Sequence, residues 1–352
     1  MSRADFRLSL VVPVYNEEES IDAFISAIDT ELAPLKDQLE IVFVNDGSRD
    51  RTREVVEQAI ARDPRVTLVN LARNFGKEAA MTAGLHQAKG DAIVPMDVDL
   101  QDPPSLILEF VKLWQTGDYD TVYGIRVDRS ADTPMKRLTA GGFYRFFNAL
   151  STSTKLPENA GDFRLIDRKV VEAIKQLPER NRFMKGLFAW AGFRAVGVPY
   201  ERPARHAGET KFNYWKLWNF ALDGLMSFSS WPLRVWSYIG VGVSFIAFLY
   251  ILKIITQVLF FGIDVPGYAS LMSVMLFLGG IQLLSLGIIG EYIGRMFVEV
   301  KQRPVYLIEG VYGQYAKQYE EQKQEVPTTS KKGAGKKAAA KAADDQQEQA
   351  SQ

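Results

Sequence analysis

The chain has 352 residues, 47% of them hydrophobic and 24% charged, so it is long and apolar enough to bury a large core and is not disordered as a whole. Lys+Arg 42 against Asp+Glu 42 leave no net charge, which removes the electrostatic case for nucleic-acid binding. The absence of cysteine and the presence of only two histidines, His86 and His206, exclude disulfides, thiolate chemistry and a multi-histidine zinc site, so any metal must be held by oxygen.

Met1 to Arg7 is polar and lacks the charged stretch, long apolar run and cleavage site of an export signal. Runs rich in β-branched residues, Leu8 to Val14, Glu40 to Asn45, Val66 to Asn70 and Ala92 to Met96, then alternate with helical patterns over Glu18 to Ala33, Arg51 to Arg62 and Lys77 to Ala88. The alternation predicts a parallel sheet covered by helices, with ligands beyond the carboxyl ends of the strands. Polar motifs fall at those ends: Val11 to Glu18 closes the first strand, Val42 to Asp50 the second, and Asp97 to Pro104 follows the fourth. Carboxylates at Asp97 and Asp99 with the amide of Gln101, at two-residue steps, suit a hard Mg²⁺ or Mn²⁺ ion completed by diphosphate oxygens. Taken alone, the same residues also describe a capped helix start before Pro103 and Pro104.

Farther on, Asn213 to Phe228 sets Trp215, Trp218, Leu222, Leu225 and Met226 near one helical face, fitting a helix in the membrane interface or one packed on the domain's own core. Val235 to Leu252 is uncharged, the apolar run resumes after Lys253 to Ile263, and Leu271 to Gly290 is again uncharged. Each run can cross a bilayer core of about 30 Å at about 1.5 Å per residue. Buried core helices are the alternative, but soluble helices of this length are rarely apolar all round. Lys and Arg are absent from Gly262 to Ser270, whereas Arg295, Lys301, Arg303, Lys317 and Lys323 follow the second run, so both flanks are expected in the cytoplasm. Lys253 lies near the outer end of the first run, where its stem can snorkel to the interface. The Gly290 and Gly294 spacing allows close helix approach, within the hairpin or between copies of a homo-oligomer. The division expected is 1–212 for the α/β domain, 213–230 for the interfacial helix, 233–298 for the hairpin and 299–323 for a cytoplasmic segment; a disordered tail completes it at 324–352.

With these motifs in place the sequence resembles the inverting glycosyltransferases of family 2. Within them it is most similar to the polyprenyl-phosphate glycosyltransferases, whose DxDLQ pattern is matched by Asp97 to Gln101 and whose two C-terminal spans are matched by the apolar runs. The resemblance implies an α/β GT-A fold, Rossmann-like with a mostly parallel sheet, binding a nucleotide sugar, with a UDP-sugar favoured. It further implies a polyprenyl phosphate acceptor, Mg²⁺ or Mn²⁺, and a place in the bacterial inner membrane with both termini cytoplasmic. Carried over by motif, Pro13, Tyr15, Glu17 and Asp46 lie around the nucleoside with Arg73 and Lys77 nearby. Asp97 orients ribose or metal, and Asp99 with Gln101 ligates the metal. Arg126, Arg137, Arg205 and Lys211 match basic positions associated with the acceptor phosphate or the diphosphate, although each also reads as a solvated surface charge. Asp162 falls where relatives keep a catalytic-site Asp, and three roles fit it: holding a sugar hydroxyl, orienting an Arg, or accepting a proton. Thr210 and Phe212 depart from the family's Gly-x-Ser-Lys-Tyr segment, but the hydroxyl is retained. The reaction implied is inverting transfer of a single hexose, with glucose from UDP-glucose favoured over an amino-arabinose derivative or GDP-mannose. A processive synthase would carry a Gln-x-x-Arg-Trp motif and more spans; a catalytically inactive scaffold would have no use for Asp97, Asp99, Gln101 and Asp162 together.

Overall fold

Strand β1 (Leu8–Val14) sets the pattern for the whole sheet: Leu8, Leu10, Val12 and Val14 enter one apolar layer while Val11 enters the other, as the two-residue period of a strand requires. The computed structural model describes residues 3, 5–127, 160–201, 231–261 and 267–325. Along the chain, β1 is followed by α1 (Ile21–Glu31), a short 3-10 turn (Ala33–Gln38), β2 (Leu39–Asn45), α2 (Thr52–Arg62), β3 (Val66–Leu71), α3 (Lys77–Gln87), β4 (Ala92–Pro95) and α4 (Leu106–Gln115). Then come β5 (Thr121–Arg126), β6 (Ala160–Asp167), α5 (Arg168–Lys175), α6 (Met184–Trp190) and β7 (Ala195–Tyr200). Two long helices, α7 (Trp231–Phe261) and α8 (Tyr268–Lys301), precede β8 (Ile308–Gly313) and α9 (Ala316–Glu325).

The eight strands form one sheet in the order β7-β5-β6-β4-β1-β2-β3-β8. Pairing is parallel between β1 and β2, β1 and β4, β2 and β3, and β5 and β7; β6 runs antiparallel to both β4 and β5, and β8 runs antiparallel to β3. The fold is thus the expected α/β sheet, mostly but not wholly parallel. Helices α1, α2 and α4 bury Phe24, Val56, Phe110 and Trp114 against one face, and α3, α5 and α6 bury Ala80, Val171 and Leu187 against the other. Each large apolar side chain so buried contributes about 1.5–3 kcal/mol. Helix α3 packs tightly on the strands at Gly84, which has no side chain: a Cβ there would stand 2.3 Å from Val11 Cγ1 and 2.9 Å from Val44 Cγ2.

The expected boundary at residue 212 lies outside the described residues, whereas the 299–323 segment is described and supplies a strand of the sheet. The segment after the helical hairpin is not separate from the α/β domain, because β8 hydrogen-bonds along β3 and Tyr315 donates its hydroxyl to the buried Glu40 carboxylate at 2.8 Å. Among the described residues one stretch, Phe277–Lys301 with mean hydropathy 1.4, is long and apolar enough to cross a membrane, and Tyr238–Tyr250 is a shorter apolar stretch within α7. Apart from the helix's own backbone and the flanking residues, no described atom lies within 4 Å of a Cβ built at Gly279, Gly280, Gly287, Gly290 or Gly294. The 213–230 segment expected to lie in the interface is outside the described residues, as is the chain from 326 onward.

Candidate active site

The carboxyl ends of β1, β2 and β4 lie side by side, and the motifs at those ends hold the backbone in unusual shapes. Asn16 and Leu100 take positive φ values of 54° and 55°, a region that side-chain-bearing residues seldom occupy and that clusters at functional sites. Asn16 is fixed there by the loop after β2: its N–H donates to Ser48 Oγ at 3.0 Å and its Oδ1 accepts the Arg49 N–H at 2.9 Å. Leu100 turns the chain between Asp99 and Gln101, and the Gln101 N–H donates to Asp99 Oδ1 at 3.2 Å.

A small pocket at these strand ends is lined by Pro13, Met96, Asp97, Asp102, Arg126 and Asp162, with Met81, Pro95 and Phe163 behind them. Four of the residues predicted for the site, Pro13, Asp97, Arg126 and Asp162, therefore meet. Lys77, at the first turn of α3, lies between two of the carboxylates, with Nζ 2.6 Å from Asp97 Oδ1 and 3.8 Å from Asp162 Oδ2. Its placement is set against those carboxylates, and they hold its pKa above the usual lysine value despite burial. On the other side of Asp162, Lys185 of α6 brings Nζ to 4.0 Å from Oδ1. Burial opposes the charge of Asp162, but Lys185, Lys77, Arg164 and Arg126 outweigh it and keep the carboxyl below the ordinary aspartate range. It is held as an anion, and such a group is a poor proton acceptor at neutral pH.

Arg126 ends β5 and is anchored by a buried pair: its Nε donates to the Tyr200 hydroxyl at 3.2 Å, and that hydroxyl donates to Asp102 Oδ1 at 2.5 Å. Burial and the Asp102 charge push the Tyr200 pKa up to about 12, so the phenol stays protonated and keeps donating. Glu78, next to Lys77, is raised to about 7 by burial and by Asp162, and its Oε2 accepts the Met184 N–H at 3.1 Å.

Asp46 directly follows β2 and faces the loop before α3. Both of its carboxylate oxygens accept backbone N–H groups, from Phe75 at 2.7 Å and Gly76 at 2.9 Å, so the side chain anchors the loop that leads into α3. Gly47 beside it needs its φ of 66°, and a Cβ would meet the Arg73 backbone at 2.5 Å. Arg73 stacks its guanidinium 4.6 Å over the Phe75 ring. Tyr15 and Glu17 follow β1, where the Glu17 N–H donates to Thr52 Oγ1 at 2.9 Å. Arg137, Arg205 and Lys211 lie outside the described residues.

Residues 9–175 match the domain described as glycosyl transferase family 2, and residues 231–296 match the GtrB C-terminal hairpin. A prophage-derived bactoprenol glucosyl transferase of Shigella flexneri is 52% identical over 304 residues, covering 86% of this chain and 97% of that one. The chain belongs to the family 2 glycosyltransferases. An uncharacterized glycosyltransferase of Synechocystis is likewise 52% identical, over 306 residues that cover 87% of this chain and 96% of the relative. Among solved structures, a mannosyltransferase from Pyrobaculum calidifontis in complex with GDP-Man and Mn²⁺ is similar at 23% identity and a TM-score of 0.40, with 56% of each chain covered.

In this glycosyltransferase the oxygen donors fit a divalent cation only as part of a shared shell. Asp97 and Asp99 supply hard carboxylates after β4, but among the described residues no group of three or more His, Asp or Glu side chains closes on one point. A cation that keeps one or two carboxylates and takes substrate phosphates for the rest suits that donor set. Asp102, Tyr200, Glu78 and Lys185 were not among the residues singled out from sequence. Asp102 sits inside the Asp97 to Pro104 motif, so a signal was present; Lys185 lies in a seven-residue helix without a motif.

Proposed function

We propose that this glycosyltransferase transfers one glucose from UDP-glucose, with inversion, to a polyprenyl phosphate such as undecaprenyl phosphate at the cytoplasmic face of the bacterial inner membrane. What carries the reading is the ring of cations, Lys77, Arg126 and Lys185, around Asp162 beside the Asp97 to Gln101 turn, in a chain 52% identical along 86% of its length to a bactoprenol glucosyl transferase. Two anions, a sugar diphosphate and a lipid phosphate, must be brought together, and positioned positive charge is what that encounter requires.

A phosphate monoester has its second pKa near about 6, so the acceptor is already largely dianionic and is its own nucleophile. One acceptor oxygen forms the bond to the anomeric carbon as the bond from that carbon to the diphosphate oxygen breaks; the electron pair leaves with the nucleoside diphosphate. No base is needed, and this agrees with an Asp162 whose pKa is lowered rather than raised. Asp162 is assigned the holding of Lys77 and Lys185 in place. Arg126, braced by Tyr200 and Asp102, faces the same pocket. A divalent cation, when bound by Asp97, Asp99 and Gln101 with the diphosphate, would neutralise charge on the leaving group. Tyr15, Glu17 and the Asp46-anchored loop are assigned to the nucleoside, and Arg137, Arg205 and Lys211 to the acceptor phosphate.

The pairing of β8 with β3 supports a hairpin that crosses the membrane twice. The chain before α7 and the chain after α8 belong to one sheet, so the two helices cross together or not at all, and both termini share one side. Exposed Phe245, Leu249, Leu283 and Phe297 on these helices need apolar surroundings. The test is a panel of labelled sugar nucleotides offered to the purified chain with undecaprenyl phosphate. Labelled lipid from UDP-glucose alone supports the reading, and labelled lipid only from another donor contradicts it.

A further inference from the structure

The last turn of α8 is fastened to the loop that leads to Lys185. Glu299 Oε1 accepts two backbone N–H groups of the chain between α5 and α6, from Arg180 at 2.8 Å and Asn181 at 3.1 Å. Arg180 reciprocates, because its Nε donates to the Arg303 carbonyl at 3.2 Å and its Nη2 to the Gln302 carbonyl at 3.4 Å. Gln302 ends the helix in the left-handed region with φ 49°, where carbonyls have lost their helical partners. Carboxylate to loop backbone and guanidinium to helix end form a bracket closed from both sides.

The bracketed loop runs directly into α6. Its first residue, Met184, donates its N–H to Glu78 Oε2, and its second, Lys185, holds Nζ 4.0 Å from Asp162 Oδ1. Lys77 engages the other oxygen of that carboxylate together with Asp97, so Lys185 is the cation on the side away from the Asp97 turn. The same linker is tied to the opposite wall. The Leu307 carbonyl accepts the Ala72 N–H at 2.9 Å, just before the loop that carries Arg73 and Lys77, and the Tyr306 hydroxyl lies 2.7 Å from His86 Nδ1 at the far end of α3. Both helices that present cations to Asp162, α3 and α6, therefore adjoin segments fastened to the end of α8 or the chain leaving it.

We propose that Glu299 is a positioning residue for transfer: by fixing the Arg180 and Asn181 backbone to the end of α8 it sets Lys185 beside Asp162, where Lys185 receives the acceptor phosphate. The hairpin is on this account part of the acceptor site as well as an anchor. The inference rests on the proposed transfer reaction. It places the acceptor cation on the element whose preceding loop is tied to the end of α8, the helix that leaves the membrane, which is where a phosphate carried on a lipid arrives.

The test uses the full chain in phospholipid nanodiscs containing undecaprenyl phosphate, with UDP-glucose as donor. E299A should lower kcat/KM for the acceptor about tenfold, the loss of two charge-assisted hydrogen bonds to a loop, while donor affinity stays within about twofold. E299Q should recover most of the loss, because its amide oxygen accepts the same two N–H groups. In a K185A background, E299A should add less than about twofold, since Glu299 acts through Lys185. Amide hydrogen exchange over residues 178–190 should rise in E299A and stay near that of the unaltered chain in E299Q. Additive losses in the double variant, an equal loss of donor affinity, or unchanged exchange in E299A would each overturn the proposal. Normal transfer by E299A overturns this proposal alone, whereas absence of transfer by the unaltered chain overturns the reaction and the proposal with it.

Discussion

Replacing Tyr200 by Phe removes one oxygen that serves two buried partners. The hydroxyl donates to Asp102 Oδ1 at 2.5 Å and accepts from Arg126 Nε at 3.2 Å, and the Asp102 side chain is only 5% exposed. A hydrogen bond to a charged group is worth about 1.5–3 kcal/mol net. Arg126 Nη2 stands 3.7 Å from the same carboxylate oxygen and can close on it, recovering part of that loss. The expected cost is thus about 1–2 kcal/mol, or a melting point lower by roughly 3–6 °C for a domain of this size. The movement that repairs stability harms turnover, because it draws the guanidinium toward Asp102 and away from the position in which Tyr200 braces it. A displacement near about 1 Å can cost up to about a hundredfold, so transfer should fall ten- to a hundredfold. Since the phenol stays protonated up to about 12, both effects should be constant across neutral and mildly alkaline pH. Thermal melts in detergent and initial rates at saturating donor measure the two effects separately. A Y200F enzyme with a lowered melting point and an unchanged rate would remove Arg126 from turnover; an unchanged melting point would refute the buried pair itself.

K77M should abolish measurable transfer, because it leaves Asp97 and Asp162 facing each other without the cation between them; rates followed with labelled donor check this, and retention of more than about a tenth of the activity would contradict it. Glu78 titrates at about 7 in the fold against an ordinary 4.5, so the protonated form is favoured by folding and its stabilisation is full below the ordinary value and lost as pH rises to 7. The melting point of the unaltered chain relative to E78Q should therefore fall between those two pH values and level off above them, as a series of pH-dependent melts would show. D99A, or chelation of divalent ions from the unaltered chain, should stop transfer while leaving the melting point of the ligand-free protein nearly unchanged; full activity in chelator would refute a shared metal shell.

The sequence made the first half of the sheet legible because β1 to β4 follow the rule that parallel strands buried on both faces read as continuous apolar runs. Leu8–Val14 matches the expected span residue for residue, and β2, β3 and β4 differ from theirs by a single residue at one end. The motifs at those strand ends could be placed for the same reason. The other half was hidden. Strand β6 mixes Asp162, Arg164 and Asp167 with its apolar residues, and β8 contains Glu309 and two glycines, so their pairing comes from tertiary partners and not from local preference. Lys185 carries no signal in the sequence because the loop before it is held by Glu299, far away in the chain, and no spacing announces that two backbone N–H groups reach the Asp46 carboxylate.

The most direct measurement is the structure and stoichiometry of the product. The purified chain, given UDP-glucose and undecaprenyl phosphate in nanodiscs, should release one UDP for each lipid glycosylated, and NMR of the isolated lipid should show one glucose on the phosphate with the β configuration, inverted from the α-linked donor. An α-linked product, more than one sugar on each phosphate, or UDP released with glucose delivered only to water would contradict single inverting transfer to a lipid phosphate.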